Sequence, residues 1–461
     1  MSVPASAPLR PEGSSVGWRG YLCLALFCGL LVCLGEGGGP WPEATGQEAV
    51  GITEGTVSGF GGGTVAGSGS VAVDGIDYGD AALEPAVVAS LRLGQRVRLA
   101  FDAGGSARSL TVLPQLRGPV DRAPDGDGWF QVTGQWVRIV LHPADASRSG
   151  VTLLGGYGAA AAVQAGQQVE VHGSWVFDAG KGAHVLVATR VEQRAPGEPV
   201  LTGGVVHALA ERAFRLNMPT GVRVRADRLP ALADGQVVTV RLASPAPAAG
   251  AAGLRALEVL NTSLGALDLA SYTAVRLGGV ADGYDAAARS VTVQGTRLAL
   301  APDMALEPAL CTPAEAAWPT AVDRTGVPPE STGSMGLAAG RFMRASLRST
   351  PQGMLRVDTL ALRSVPVAGQ DSGGVGGVDG RMRLRGVLVG VDWNAAVLRV
   401  ALRGVAVVAD AAAIGGTCRE APSWAALQVV LEGFAPQPGA ALVATRVACT
   451  AAAPAPALHG T

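Results

Sequence analysis

A metal site needs His, Cys, Asp or Glu clustered at ligand spacing, and the five histidines of this chain, His142, His172, His184, His207 and His459, are scattered instead. His172 and His184 flank one hairpin, and counting out from its turn sets them at different heights. They read as strand-surface residues, with an opportunistic metal pair as the other reading. Six cysteines divide evenly: Cys23, Cys28 and Cys33 in an apolar N-terminal segment, and Cys311, Cys418 and Cys449 downstream. An oxidising compartment allows one disulfide among the latter. Cys418 with Cys449 is preferred because both belong to one repeat unit. Cys311 with Cys418, in equivalent connections each followed by a tryptophan (Trp318, Trp424), stays open. A nucleophilic thiol lacks a histidine partner nearby in sequence. Acidic pairs such as Asp125 and Asp127 sit in turns, where Asp satisfies local backbone groups. No Gly-x-Ser-x-Gly elbow, phosphate loop or dinucleotide fingerprint stands in a strand-to-helix setting. The Gly-rich stretches at 35–39, 59–69 and 373–380 lack the lysine or acidic partner of a nucleotide site. The expectation is therefore no catalytic, metal or cofactor-binding residue, and no enzyme.

The remaining chemistry is stacking. Trp129, Trp136, Trp175, Phe177 and Tyr157 concentrate in one stretch, with Arg138 and the chain's single lysine, Lys181, beside them. Such residues serve either a core or a surface on which sugar rings lie. Trp129, Trp136, Tyr157 and Trp175 are the candidate ligand-binding set. Aromatics make up only 5% of the chain, too few for a long stacking platform.

The elements that would position these residues are strands. Gly 65 and Pro 29, against 16% charged residues, favour turn-rich β structure over helix. Val169 to Phe177 and His184 to Val191 alternate around a Gly-rich turn, which predicts a hairpin with one buried side. Related hairpins turn at Asp74-Gly75, Thr133-Gly134, around Thr220-Gly221, at Gln294-Gly295 and at Arg403-Gly404. Each follows a short Gly-x-Val strand. Further on come runs of the form Gly-Gln-x-Val at Gly94, Gly166 and Gly235, and a closing strand, Val187-Ala188-Thr189-Arg190-Val191, recurs word for word as Val443-Ala444-Thr445-Arg446-Val447. Three strands, a variable connection and two more is the order of an OB-like Greek-key barrel. The predicted fold class is all-β: tandem OB-like barrels joined by Gly/Pro-rich linkers, after a disordered N-terminal segment with an apolar signal helix. The expected boundaries are a signal over 1–35, a linker over 36–53 and modules over 54–116, 117–193, 201–264 and 276–364, the last with an insertion at 302–339. A linker over 365–383, a fifth module over 384–450 and a tail over 451–461 complete the chain.

A formal net charge of −1 gives no global field for nucleic acid or an anionic membrane. The apolar run YLCLALFCGLLVCL suits a signal-peptide core and is short for a membrane span. Cys33 after that run, followed by a Gly-rich tether, resembles the lipidation site of bacterial lipoproteins; a larger Val32 stands before it. The implied location is exported, either periplasmic or outer-membrane-anchored through Cys33, or secreted.

The first module, through Gly59, Phe60, Gly69, Ser70, Val71, Val73, Gly75, Tyr78, Leu93, Gly94 and Val97, resembles the repeat of an uncharacterised bacterial family of secreted and lipid-anchored proteins classed as a domain of unknown function. It differs in carrying Asp74 where that family tends to have Asn and in the 61–67 insertion. The resemblance implies tandem OB-like barrels and carries no site residues. The function expected is non-catalytic binding or scaffolding in the cell envelope, with a protein or polysaccharide partner and no nucleic acid. The alternative is an oligosaccharide- or polymer-binding protein using the aromatic surface of the second module.

Overall fold

Five runs of alternating residues fold into five closed rings of strands. The computed structural model describes residues 51–62, 69–140, 152–242, 253–285, 287–301, 342–349, 355–362, 381–387, 389–394, 396–403, 405–419, 427–434 and 441–451. The apolar segment with Cys33, the 302–339 insertion with Cys311 and Trp318, and His142, Trp424 and His459 lie outside the described residues.

The first ring consists of β1 (Gly51–Gly62), β2 (Gly69–Val73), β3 (Ile76–Gly79), β4 (Arg96–Phe101) and β5 (Ala107–Val112), with helix α1 (Pro85–Ser90) between β3 and β4. The second has β6 (Leu116–Arg122), β7 (Trp129–Val132), β8 (Gln135–Ile139), a short β9 (Leu153–Gly155), β10 (Gln168–Asp178) and β11 (Ala183–Gln193). The third has β12 (Val200–Ala210), β13 (Ala213–Leu216), β14 (Arg223–Arg225), β15 (Val237–Leu242) and β16 (Leu254–Asn261). The fourth has β17 (Ala274–Asp285), β18 (Ser290–Val293), β19 (Thr296–Leu300), β20 (Phe342–Ser349) and β21 (Leu355–Leu362). In the fifth, β22 (Arg381–Val387) and β23 (Val389–Trp393) together make the first strand, followed by β24 (Val397–Leu402), β25 (Val405–Asp410), helix α2 (Gly416–Arg419), β26 (Leu427–Phe434) and β27 (Leu442–Ala451).

Every ring runs in the order 1-2-3-5-4-1. Its first strand pairs with the second and the fourth, and its third and fifth strands meet in parallel: β8 with β11, β14 with β16, β19 with β21, β25 with β27, and Gly79 with Ser106 in the first ring. This is the OB-like Greek-key order, and closing the rings pairs most of the described strands on both sides, the short β9, which pairs only with β11, being an exception.

Local chemistry accounts for the turns. Asp74 and Gly75 (φ 49° and 73°), Thr133 and Gly134 (49° and 78°) and Gln294 and Gly295 (50° and 64°) take left-handed conformations in two-residue hairpin turns. The third ring differs from the turn expected at Thr220-Gly221. There the left-handed residue is Asn217 (φ 67°) and the loop runs from it to Val222. Asn217 is held early because its Oδ1 accepts the N–H of Val205 and its Nδ2 donates to Gln135 Oε1 of the second ring. The Gly-Gln-x-Val run is a turn with its own cap. Gln95, Gln167 and Gln236 accept through Oε1 the N–H three residues upstream, of Arg92, Gln164 and Ala233. The adjoining backbone then pairs with the first strand at Val57, Val120 and Val206.

Inward residues such as Phe130, Val132, Val137, Val171, Trp175 and Leu186 fill the second ring, each fully buried side chain contributing about 1.5–3 kcal/mol. The rings also pack on one another. β1 pairs in parallel with β17, Gly51 to Glu54 against Ala274 to Leu277. That double pairing, with β4 on the other side, starts the first strand at Gly51, upstream of the expected boundary at 54. The first and fifth rings share one apolar cluster, and Val140, Val176 and Val187 of the second meet Val280 and Phe342 of the fourth.

Candidate functional site

Strands β7 and β8 present an outer face as well as an inner one. Trp129 lies opposite Arg138, Trp136 opposite Gln131, and Arg122 of β6 opposite Gln131, so these residues share the side away from Phe130 and Val137. The β10–β11 turn brings the last component. Asp178 Oδ1 accepts the N–H of Lys181 at 2.7 Å and fixes the turn, which places the Lys181 ammonium 4.8 Å from the Trp129 ring centre and 4.2 Å from that of Trp136. The two indoles meet edge to face with centres 6.5 Å apart. Arg138 lies 5.3 Å over Trp129 and Arg122 5.7 Å over Trp136, all within cation–π range. Trp129 and Arg138 are buried, Trp136 and Lys181 half-buried, and Arg122 exposed. The arrangement is two edge-to-face indoles with three cations set over their rings, its exposed part made by Trp136, Lys181 and Arg122.

The other two candidates go elsewhere. Trp175 is in the ring core, its indole N–H donating to Gln115 Oε1 at 3.0 Å, and Tyr157 is also in that core, where burial pushes its phenol up. Neither reaches the outer face. Inward parity along β10 carries Val169, Val171 and Trp175 to the same side, which removes Trp175 from any stacking surface.

The histidines require a correction. His172, expected on a strand surface, is fully buried because the outer side of β10 is covered by the first ring. Its Nδ1 accepts the N–H of Arg96 (3.3 Å), and its Nε2 faces Glu170 Oε1 at 3.0 Å. Glu170 also holds Arg117 and Arg194. Burial alone would raise the Glu170 carboxyl, but His172 and the two arginines hold it well below the usual range. Glu54 is lowered likewise against its burial, by Arg98 and Arg96. Arg96 Nη2 lies 2.6 Å from Glu54 Oε1 and Arg98 Nη2 2.7 Å from Oε2. The same arginines donate to Gly278 O and Thr262 O. The network is sealed around Glu54, partly exposed at Arg117 and Arg194 beside Glu170, and joins the first four rings.

Both glutamates bind protons more readily unfolded than folded, so their stabilisation is complete above the unfolded value of about 4.3 and is lost as pH falls below it. Thermal melts from pH 7 to pH 3 are expected to show a shallow decline in Tm below about pH 6.5, where burial keeps a histidine of the neighbouring His184–His207 pair from taking up a proton in the folded protein, and a steep drop below about pH 4.5 from the two glutamates. A flat profile down to pH 3 would contradict the assignment.

His184, His207 and Asp282 form a smaller cluster from the second, third and fourth rings. His184 Nε2 lies 2.9 Å from Asp282 Oδ2, and its Nδ1 lies 3.4 Å from His207 Nε2. Burial, and then the neighbouring His184, lower His207. Among the described residues no group of three or more His, Cys, Asp and Glu is arranged to hold a metal ion. Cys418 of α2 and Cys449 of β27 are joined by a disulfide, with Cα atoms 5.1 Å apart.

Sequence reading missed Arg122 in the aromatic face and the entire Glu54 and Glu170 network. Alternation alone would turn Arg122, two residues beyond the inward Val120, toward the core; a register shift between the two carries it to the outer face, and the sequence gives no signal of that shift. The ionic network had no local signal, since its members come from strands of different rings. No family model matches the chain, and a search of curated proteins finds no match.

Proposed function

We propose that the chain is an exported, non-catalytic binding protein whose second ring holds a carbohydrate polymer on the Trp129–Trp136 face. The observation that carries this reading is the placement of two indoles on strands 2 and 3 with three cations over them, from the end of strand 1, from strand 3 and from the turn between strands 4 and 5. In OB-like barrels that combination of surface and loop is where oligomeric ligands lie. The apolar run before Cys33 and the disulfide of the fifth ring support export to an oxidising compartment.

Titrating the full chain with polygalacturonate, and separately with its methyl ester, while following tryptophan fluorescence tests the reading. Trp136 is half-buried at the surface, so Trp136→Ala is expected to keep the melting profile and weaken binding about tenfold, the loss of one stacked ring. Wild-type protein that binds neither polymer, or a Trp136→Ala variant that binds as the wild type does, would overturn it.

A further inference from the structure

The third ring carries an outward-facing arginine array with little acidic compensation. In β13 and β14, Phe214 and Val224 pair and point inward, so Arg215 and Arg223, paired directly across the strands, point outward. Arg225 lies on that same outer side and pairs in parallel register with Arg255 of β16. Four arginines thus occupy adjacent cross-strand positions on one face, where the Cβ atoms of directly opposed residues are about 4.5–5.5 Å apart and like charges repel. Arg223, Arg225 and Arg255 are exposed and Arg215 half-buried.

Acidic compensation is slight. Asp227 lies 3.2 Å from Arg255, with both side chains more than three-quarters exposed, an ion pair that contributes little. Arg215 donates to Gly221 O at 2.8 Å, a carbonyl rather than a carboxylate. Among the described residues Arg223 and Arg225 have no acidic partner. The connection between β15 and β16 reads Ala-Ser-Pro-Ala-Pro-Ala-Ala-Gly-Ala-Ala over 243–252 and adds no acid.

The array adjoins the face already described. Val222, the residue before Arg223, packs over Gly134, two residues before Trp136. Thr202 Oγ1 donates to Thr133 O, and Asn217 Nδ2 donates to Gln135 Oε1. The strand-2/3 hairpin turns of the two rings therefore meet.

We infer that the arginine face of the third ring binds the carboxylates of an acidic polysaccharide whose neighbouring residues lie on the second ring. This rests on the carbohydrate reading and adds to it that the polymer is polyanionic. Guanidinium groups pair bidentately with carboxylates, and regularly repeated anions answer a regular row of cations better than a single small ion does.

The test compares wild type, Arg223→Ser/Arg225→Ser and Trp136→Ala, all as the full chain, for binding to polygalacturonate, its methyl ester and a single-stranded oligonucleotide at low and moderate salt. The serine pair replaces exposed side chains and is expected to leave the melting profile unchanged. It is expected to weaken polygalacturonate binding by tenfold or more, to reduce its salt dependence and to leave the methyl ester unaffected, whereas Trp136→Ala weakens both. Equal binding of the charged polymer by wild type and the serine pair would overturn the arginine assignment and leave the carbohydrate reading standing. Wild type binding neither polysaccharide would overturn both. Tighter binding of the oligonucleotide than of polygalacturonate would replace the polysaccharide with a nucleic acid.

Discussion

Glu54→Ala is expected to destabilise the protein by about 3–5 kcal/mol. Glu54 is 2% exposed and is the shared counter-ion of two guanidinium groups that are themselves buried, Arg96 and Arg98. Removing its carboxylate leaves two positive charges in a region water does not reach. The loss extends beyond the first ring, because Arg96 donates to Gly278 O on β17 and its N–H to His172 on β10, while Arg98 donates to Thr262 O. Chemical denaturation of wild type and variant measures the effect. Replacing Glu54, Arg96 and Arg98 together by apolar residues of similar size is expected to recover most of the loss, since no charge is then stranded. A Glu54→Ala cost below about 1 kcal/mol, the range of an exposed pair, would contradict the sealed network.

The disulfide has the second large effect, confined to the fifth ring. Cys418 and Cys449 are 31 residues apart in sequence, and closing a loop of that length restricts the unfolded chain by about 3.5 kcal/mol. The bond ties α2, in the connection after the third strand, to the closing strand β27, whose Val447 already accepts the N–H of Gly415 through its carbonyl. Cys418→Ala/Cys449→Ala, or reduction of the wild type, is expected to lower the stability of this ring by about 3–4 kcal/mol and leave the Trp129–Trp136 face intact. Two free thiols on these cysteines in protein purified without reductant would contradict the bond.

The contrast between these two sites explains what the sequence could and could not convey. Within a ring, period and turn chemistry carried most of the pattern: Asp74-Gly75, Thr133-Gly134 and Gln294-Gly295 turn where their dihedral preferences place them, and the three Gly-Gln-x-Val runs make the same capped turn, while the third ring's turn is set at Asn217, partly by Gln135 of the second ring. Between rings, the same words take different meanings. Val-Ala-Thr-Arg-Val occurs twice, both times on a fifth strand that runs parallel to a third. Yet Arg190 of the first copy is fully buried, donating to Leu93 O of the neighbouring ring, whereas the side chain of Arg446 in the second is 68% exposed. A local pattern cannot distinguish those environments, because the covering surface is contributed from about 95 residues away in sequence. His172 was misjudged for the same reason, and Trp175 and Tyr157 were grouped with Trp129 and Trp136 because nearness in sequence does not settle which side of a strand faces the core.

The binding face on the second ring is tested most directly by hydrogen exchange of the full chain with and without polygalacturonate. The expected result is slower exchange in Trp129–Val132, Gln135–Ile139 and the turn carrying Lys181, extending into Arg223–Arg225, with other strands unchanged. Protection confined to the first, fourth or fifth ring, or none at saturating polymer, would contradict it.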